Sequence, residues 1–242
     1  MTHTIALITG ANKGIGLETA RQLAQADVHV ILGSRQLAAA QAAVDALVKQ
    51  GLSAEAIKLD VSDEQSIKQA AADVEARHGH IDILVNNAGV MLDAFDQAPS
   101  AQNLSTWKTT FDTNLFGVVA VTQAFLPLIK KSAQGRIVNV SSVLGSMAAN
   151  VDPASAFYGF KIPAYNISKT ALNAWTIHLA FELKDSAIKV NSAHPGFVKT
   201  DLHGVDAPMT PEQGARTCVQ LALLPPDGPT GSFFHEGEVL AW

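Results

Sequence analysis

A single-domain, doubly wound parallel α/β sheet with helices on both faces is the fold that this 242-residue sequence predicts. Three observations carry that reading. Six short, nearly continuous apolar runs recur along the chain, alanine-rich stretches with helical spacing separate them, and no Pro- or Gly-rich stretch divides the chain before Pro208. Continuous apolar strands are buried on both faces, as a parallel sheet between two helical layers requires. Right-handed crossovers then wind the sheet outward in both directions. The length is ordinary for one α/β unit, so residues 1–242 read as one domain.

Composition narrows the function classes. Hydrophobic residues at 48% and charged residues at 16% describe a well-buried chain, and a net charge of −5 without a basic run argues against a nucleic-acid surface. The apolar runs are strand-sized, so no membrane span is expected. Met1 to Thr4 lead straight into Ile5–Ile8, without the charged start and apolar core of a signal peptide. The lone Cys218 has no internal disulfide partner and reads as a small buried side chain, consistent with a cytoplasmic protein.

The first run, Ile5–Thr9, is followed by Gly10, Gly14 and Gly16 and then by a helical pattern over Gly16–Ala26. The spacing is G-x-x-x-G-x-G rather than the general G-x-G-x-x-G. The context is right for backbone N–H groups and a helix N-terminus to meet a pyrophosphate. The second run, Val28–Gly33, ends in Ser34-Arg35, and no carboxylate occurs between Asp27 and Asp45. An acidic residue here would bind the ribose hydroxyls of NAD, whereas an arginine accommodates the extra phosphate of NADP. Arg35 suits bidentate phosphate contact, Ser34 adds a hydroxyl, and Lys13 in the glycine loop adds a second cation. NADP(H) is therefore the expected cofactor.

A helix over Leu37–Gln50 follows, then a third strand at Ala54–Leu59 and a helix over Glu64–His78. His78-x-His80 falls at a helix-to-strand turn and reads as solvated. No His/Cys/Asp group has zinc-ligand spacing, so no metal is expected, and no G-x-S-x-G elbow suggests a hydrolase. The fourth strand, Ile81–Val85, runs into Asn86-Asn87-Ala88-Gly89, and a long helical stretch covers Leu104–Ile129. The fifth strand, Arg136–Val140, is followed by Ser141-Ser142, and the sixth spans Lys189–Ala193. Tyr165 and Lys169 sit four residues apart, one helical turn, so both project from one face. An ammonium beside a phenol favours phenolate, which would make the tyrosine a usable acid and base near neutral pH.

The glycine loop, Asn86–Gly89, Asn114, Ser142 and Tyr165-x-x-x-Lys169, in that order, resemble the short-chain dehydrogenase/reductase family, a Rossmann-like fold, over essentially the whole chain. T-G-A-N-K-G-I-G (Thr9–Gly16) and L-A-L-L-P-P-D-G-P-T-G (Leu221–Gly231) are similar to the family's NADPH-dependent carbonyl reductases. The resemblance implies that Tyr165 protonates the carbonyl oxygen and that Lys169 holds the phenol's pKa down and binds the nicotinamide ribose. It makes Ser142, rather than Ser141, the hydrogen-bond donor to the same oxygen, because Val143-Leu144-Gly145 follows it. Asn114 would support a water-linked proton path to the lysine. The resemblance places Gly10, Asn12, Lys13, Gly14, Ile15, Gly16, Ser34 and Arg35 along the cofactor. It likewise places Asp60 and Val61 at the adenine, Asn87, Ala88 and Gly89 along the nucleotide, and Pro195, Gly196, Val198 and Thr200 near the nicotinamide.

The expected reaction is reversible reduction of ketones or aldehydes, with a small carbonyl compound as substrate. A 3-oxoacyl carrier-protein reductase is the main alternative, against which stands the lack of a clear basic docking patch. A non-catalytic NADP-binding regulator of this fold usually loses the tyrosine or the lysine, and this chain keeps both. Ser142 and Tyr165 are 23 positions apart, more than in most single-domain members, and the extra piece at about 146–162 carries Phe157, Tyr158 and Phe160. It reads either as an apolar wall over the substrate or as a loop anchoring itself with aromatics. Tyr158 is not the catalytic tyrosine, since Ile162 and not a lysine lies four residues on. The insertion precedes a helix that the family uses for subunit pairing, which leaves dimer, tetramer and monomer open.

Overall fold

The computed structural model describes residues 4–202 and 206–242. Eight strands form one sheet: β1 (Ile5–Thr9), β2 (His29–Ser34), β3 (Ala54–Lys58), β4 (Ile83–Asn86), β5 (Arg136–Val140), β6 (Lys189–Ala193), β7 (Phe233–His235) and β8 (Glu238–Val239). Their order is β3-β2-β1-β4-β5-β6-β7-β8, parallel through β7, with β8 antiparallel at the edge. The order reverses between β1 and β4, so the loops after these two strands diverge and leave a crevice at their carboxyl ends. The glycine loop and Asn86–Gly89 lie there.

Burial on both faces accounts for the apolar runs. Along β1, Ala6 and Ile8 face one core, shared with helices α1 (Gly14–Gln25), α2 (Leu37–Val48) and α8 (Pro211–Ala222). Ile5 and Leu7 face a second core, against α3 (Glu64–His78), α5 (Gly117–Ile129) and α7 (Pro163–Glu182). Removing these side chains from water is the main force holding the layers together. Cys218 is fully buried in the first core, where burial pushes its thiol up to about 12.

The expected strands are all present within a residue or two. The stretch expected as one helix over Leu104–Ile129 is α4 (Leu104–Phe111), a π-helical turn at Asp112–Phe116, and α5. This 26-residue run is long and apolar enough to cross a membrane, contrary to the strand-sized limit read from the sequence. It packs instead against the sheet, α3 and α7, as the core helix of a globular fold does. A short helix α6 (Met147–Val151) lies within the extra piece before Tyr165. Strands β7 and β8 were not expected. Met1–His3, where the sequence reading found no leader, lie outside the described residues.

Candidate active site

Helix α7 presents Tyr165 and Lys169 on its buried face, both nearly inaccessible to solvent. The helix begins at Pro163, which has no N–H to satisfy, and Ile162 before it offers no side-chain cap. The next two donors are taken from a distance. Asp93, buried in the loop after β4, accepts from the amides of Ala164 at 2.8 Å and Tyr165 at 3.0 Å. Sequence reasoning missed Asp93. The signal was present in the uncapped Ile162-Pro163 start, which requires a cap from elsewhere in the chain.

The Ser142 side chain hydrogen-bonds Tyr165, while Ser141 Oγ reaches the Lys169 carbonyl at 3.5 Å. Ser142 Oγ also accepts from the Leu144 amide at 3.2 Å, at the start of the turn that follows β5. Lys169 Nζ donates to the Val140 carbonyl at 2.8 Å and lies 5.7 Å from the centre of the Tyr165 ring. Gly145 lets the turn after Ser142 approach α7, since a Cβ there would stand 2.7 Å from the Lys169 carbonyl carbon.

The electrostatics differ from the expectation of a depressed tyrosine. Burial pushes the Tyr165 phenol up to about 12, with the Ser142 hydrogen bond acting in the opposite sense. Burial also brings Lys169 down to about 8. Desolvation penalises the charged form of each group and is the largest cause at both. At neutral pH the site holds a neutral phenol above a predominantly protonated lysine.

Asn114 sits in the π-helical turn, fully buried, and its side chain is committed. Oδ1 accepts from the Val90 amide at 2.8 Å, and Nδ2 donates to the Val90 carbonyl at 2.8 Å and to Ser168 Oγ at 3.1 Å. It clamps the loop after β4 onto α7. Its side-chain amide therefore has no hydrogen left for a proton path.

The crevice between β1 and β4 suits a dinucleotide. Gly10 and Gly14 have φ of 63° and 58°, which Gly adopts without strain. A Cβ on Gly16 would stand 2.4 Å from Asn87 Nδ2, so only glycine permits that approach. Helix α1 starts at Lys13 with no side-chain cap and no acidic residue in its first turn. Its amide donors and positive dipole end are thus not already committed to a side chain, the condition an anionic pyrophosphate needs. Asn87 Nδ2 donates to the carbonyls of Thr9 and Gly10, and the Asn87 and Ala88 amides donate to Thr9 Oγ1, which braces the two strand ends. Asn86, buried, holds Asn139 and Thr122.

The remaining residues fall around this crevice. Ser34, at the end of β2, is buried and hydrogen-bonds Asn12, while Arg35 beside it is exposed. Lys13 is ion-paired with Asp201, so it is not the open cation expected. Asp60 is occupied locally by the amide and hydroxyl of Ser62, with Val61 half-buried next to it. Ile15 is half-buried in the first turn of α1. Gly89 is exposed beside Lys169, 3.5 Å from Nζ by its missing Cβ. Pro195, Gly196 and Val198 are buried after β6, and Thr200 lies against Gly14. His78 is not solvated as expected, but held by Glu55.

The family model for short chain dehydrogenases matches residues 4–209. The chain is 36% identical to carbonyl reductase (NADPH) 1 of Homo sapiens, with 98% of each chain covered. It is also 36% identical to a short-chain dehydrogenase of Penicillium roqueforti, covering 92% of this chain and 89% of that one. Among solved structures, an NADPH-bound carbonyl reductase from chicken fatty liver superposes with a TM-score of 0.85 at 28% identity over the full length of both. Salutaridine reductase from Papaver somniferum gives 0.83 at 28% identity, covering 97% of this chain and all of that one.

Proposed function

The chain belongs to the short-chain dehydrogenase family, and from that premise we propose that it is an NADPH-dependent carbonyl reductase. It is an oxidoreductase of the NADP-dependent kind, and the finer reading concerns its substrate and its acid. The observation that carries it is that Ser142, Tyr165 and Lys169 are buried together, with Lys169 Nζ 5.7 Å from the centre of the Tyr165 ring.

NADPH, when bound, supplies the hydride. The uncapped N-terminus of α1 and the loop Gly10–Gly16, with Asn12 and Ile15, would hold its pyrophosphate. Ser34 and Arg35, assisted by Lys13, would hold its extra phosphate. Asp60 and Val61 would border the adenine, and Asn87, Ala88 and Gly89 the nucleotide. Lys169 would bind the ribose, and Pro195, Gly196, Val198 and Thr200 would lie near the nicotinamide.

Tyr165 gives its proton to the carbonyl oxygen. Burial favours the neutral phenol by about 3 kcal/mol, so the acid is fully loaded at neutral pH. Ser142 donates a second hydrogen bond to the same oxygen and stabilises the charge that develops there. Lys169 supplies positive charge beneath the phenol as it gives up its proton, and so lowers the cost of the phenolate that must form. In the reverse direction Tyr165 has to be deprotonated first, which makes reduction the favoured use of this site near pH 7.

The substrate is a small-molecule ketone or aldehyde, and the segment 146–162 ahead of α7 borders its entry. We place the protein in the cytoplasm, as a monomer or as a homo-oligomer pairing through α7. The test is a ketone panel, including a 3-oxoacyl carrier thioester, assayed with NADPH and NADH. Tyr165→Phe should abolish ketone-dependent NADPH oxidation while NADPH binding, read by fluorescence, stays within twofold. Full activity in that variant would remove Tyr165 as the acid, and turnover of the carrier thioester alone would favour the carrier-protein reading.

A further inference from the structure

At the opposite end of the sheet from the catalytic residues, the fold assembles two imidazoles and a carboxylate that the sequence scatters over fifty residues. His29 opens β2, Glu55 lies in β3 beside it, and His78 ends α3, which crosses back over both. One ligand atom from each lies within 4.8 Å of the others. His78 Nε2 is 2.8 Å from Glu55 Oε1, and the two imidazole rings are 5.4 Å apart at an angle of 43°. All three residues are half-buried.

We propose that His29, Glu55 and His78 form a binding site for a divalent transition metal of the zinc class. Two imidazole nitrogens and one carboxylate suit zinc, cobalt or nickel, whereas magnesium and calcium prefer all-oxygen shells. Ligand atoms about 2.1 Å from a tetrahedral ion stand roughly 3.4 Å from one another. The widest pair here must close by at most about 1.4 Å and the His78–Glu55 contact must open by about half an ångström. Side-chain rotation at a half-buried site supplies such movements.

The surroundings match what such ligands need. His29 Nδ1 is held by Ser53 Oγ at 2.7 Å, which fixes the ring. Arg77 Nη1 is 3.0 Å from Glu55 Oε2, so the second carboxylate oxygen is held from outside while Oε1 faces His78. Outer partners of this kind orient the ligands of metal sites. The guanidinium is also a cost, because its charge opposes a cation nearby. The arginine therefore weakens the affinity that the donor set would otherwise give. Lying at the amino ends of β2 and β3, the ion would tie two strands and a helix together and take no part in hydride transfer.

The experiment uses the full-length untagged protein, stripped with EDTA and passed into metal-free buffer. Zinc chloride, cobalt chloride and magnesium chloride are titrated separately by calorimetry, with melting temperature recorded alongside. One equivalent of zinc or cobalt should bind, raise the melting temperature, and lose at least tenfold in affinity in both His29→Gln and His78→Gln, while magnesium does nothing. Each variant's metal-free melting curve shows whether it folds. Binding well below one equivalent, or unchanged zinc affinity in the two folded variants, overturns the proposal, the latter by placing the ion on other histidines.

Discussion

Asp93 holds the main-chain amide of Tyr165 at 3.0 Å, from a position 72 residues earlier in the chain. With the Ala164 amide at 2.8 Å, the carboxylate satisfies two of the donors that open helix α7 and sits at its positive dipole end. The position of the Tyr165 phenol is thereby tied to the loop after β4, the same loop that Asn114 clamps from the other side. Tyr165 and the crevice between β1 and β4 are one mechanical unit.

We predict that Asp93→Ala costs about 2 kcal/mol, the upper range for a helix cap, because the two amides are left unsatisfied in a buried site. For a chain of this size that lowers the melting temperature by roughly 4–8 °C. Turnover should fall by more than KM rises, since the loss acts on the placement of Tyr165. Asp93→Asn, which keeps one acceptor oxygen, should lie between. Unchanged kcat and melting temperature in Asp93→Ala would sink the idea.

The pH dependence follows from the two buried groups. Tyr165, at about 12, stays protonated across the working range, so it does not limit reduction. Lys169, at about 8, carries its charge below that pH and loses it above. Ketone reduction is therefore expected to be flat from about pH 6 to 7.5 and to decline through pH 8. Alcohol oxidation, which needs the phenolate, should rise over the same range. Initial rates in both directions across pH 6–10 check this, and a reduction rate that climbs through pH 8 contradicts it.

Lys169 should also lower stability. Its folded pKa of about 8 lies below its unfolded value of 10.5, so between these pH values the unfolded chain binds the extra proton and stability rises with pH. Below pH 8 the folded state bears the full penalty of an ammonium in a dry site, about 3 kcal/mol at most. Lys169→Met removes it, less about 1 kcal/mol for the hydrogen bond to Val140. The variant should be nearly inactive yet melt higher than wild type at pH 7, with the difference shrinking towards pH 10. A lower melting temperature at pH 7 would show that the Val140 bond outweighs the burial cost.

The ion pair between Lys13 and Asp201 divides the two cations of the phosphate end. Arg35 is exposed with no carboxylate near it in sequence, whereas Lys13 is already paired. Arg35→Asp should shift preference towards NADH, while Lys13→Ala has a smaller effect on NADPH affinity. Asp201→Asn, which releases Lys13, should tighten NADPH binding by about threefold at low salt, within the range of an exposed charge pair. Fluorescence titrations with both cofactors at two salt concentrations decide it.

What the sequence made legible is what a local pattern can encode. The apolar runs, the glycine loop and the four-residue step from Tyr165 to Lys169 depend on neighbours in the chain. Strands β7 and β8 were missed because they are three and two residues long, too short for any periodicity to register. The π-helical turn at Asp112–Phe116 has no signature that separates it from ordinary helix. His78 read as solvated because its partner Glu55 is 23 residues away and meets it only where the end of α3 packs beside β3. The raised tyrosine pKa was misjudged for a related reason: charge proximity can be read from spacing, but the depth of burial cannot.

The segment before Tyr165 is fastened at its start by the far end of the chain. Trp242 stacks on Phe233 at 5.6 Å and 15°, and its carbonyl accepts from the Ala148 amide at 3.0 Å. At the other end of the segment, Asn166 Nδ2 donates to the Phe160 carbonyl at 2.7 Å. Between these anchors, Tyr158 and Phe160 stay largely exposed, so they are not what holds the segment down. Phe157 is half-buried and the Lys161 ammonium lies 4.7 Å from the centre of the Tyr158 ring, so the segment also holds itself in part, and we predict that its exposed aromatic faces still meet the substrate. Trp242→Ala should then loosen the segment, raising KM for bulky aromatic ketones about fivefold or more while small aliphatic ketones change little, a loss on the order of 1 kcal/mol. Phe160→Ala should reproduce the selectivity change without lowering the melting temperature. Equal effects on large and small ketones in both variants would mean that the segment does not contact the substrate.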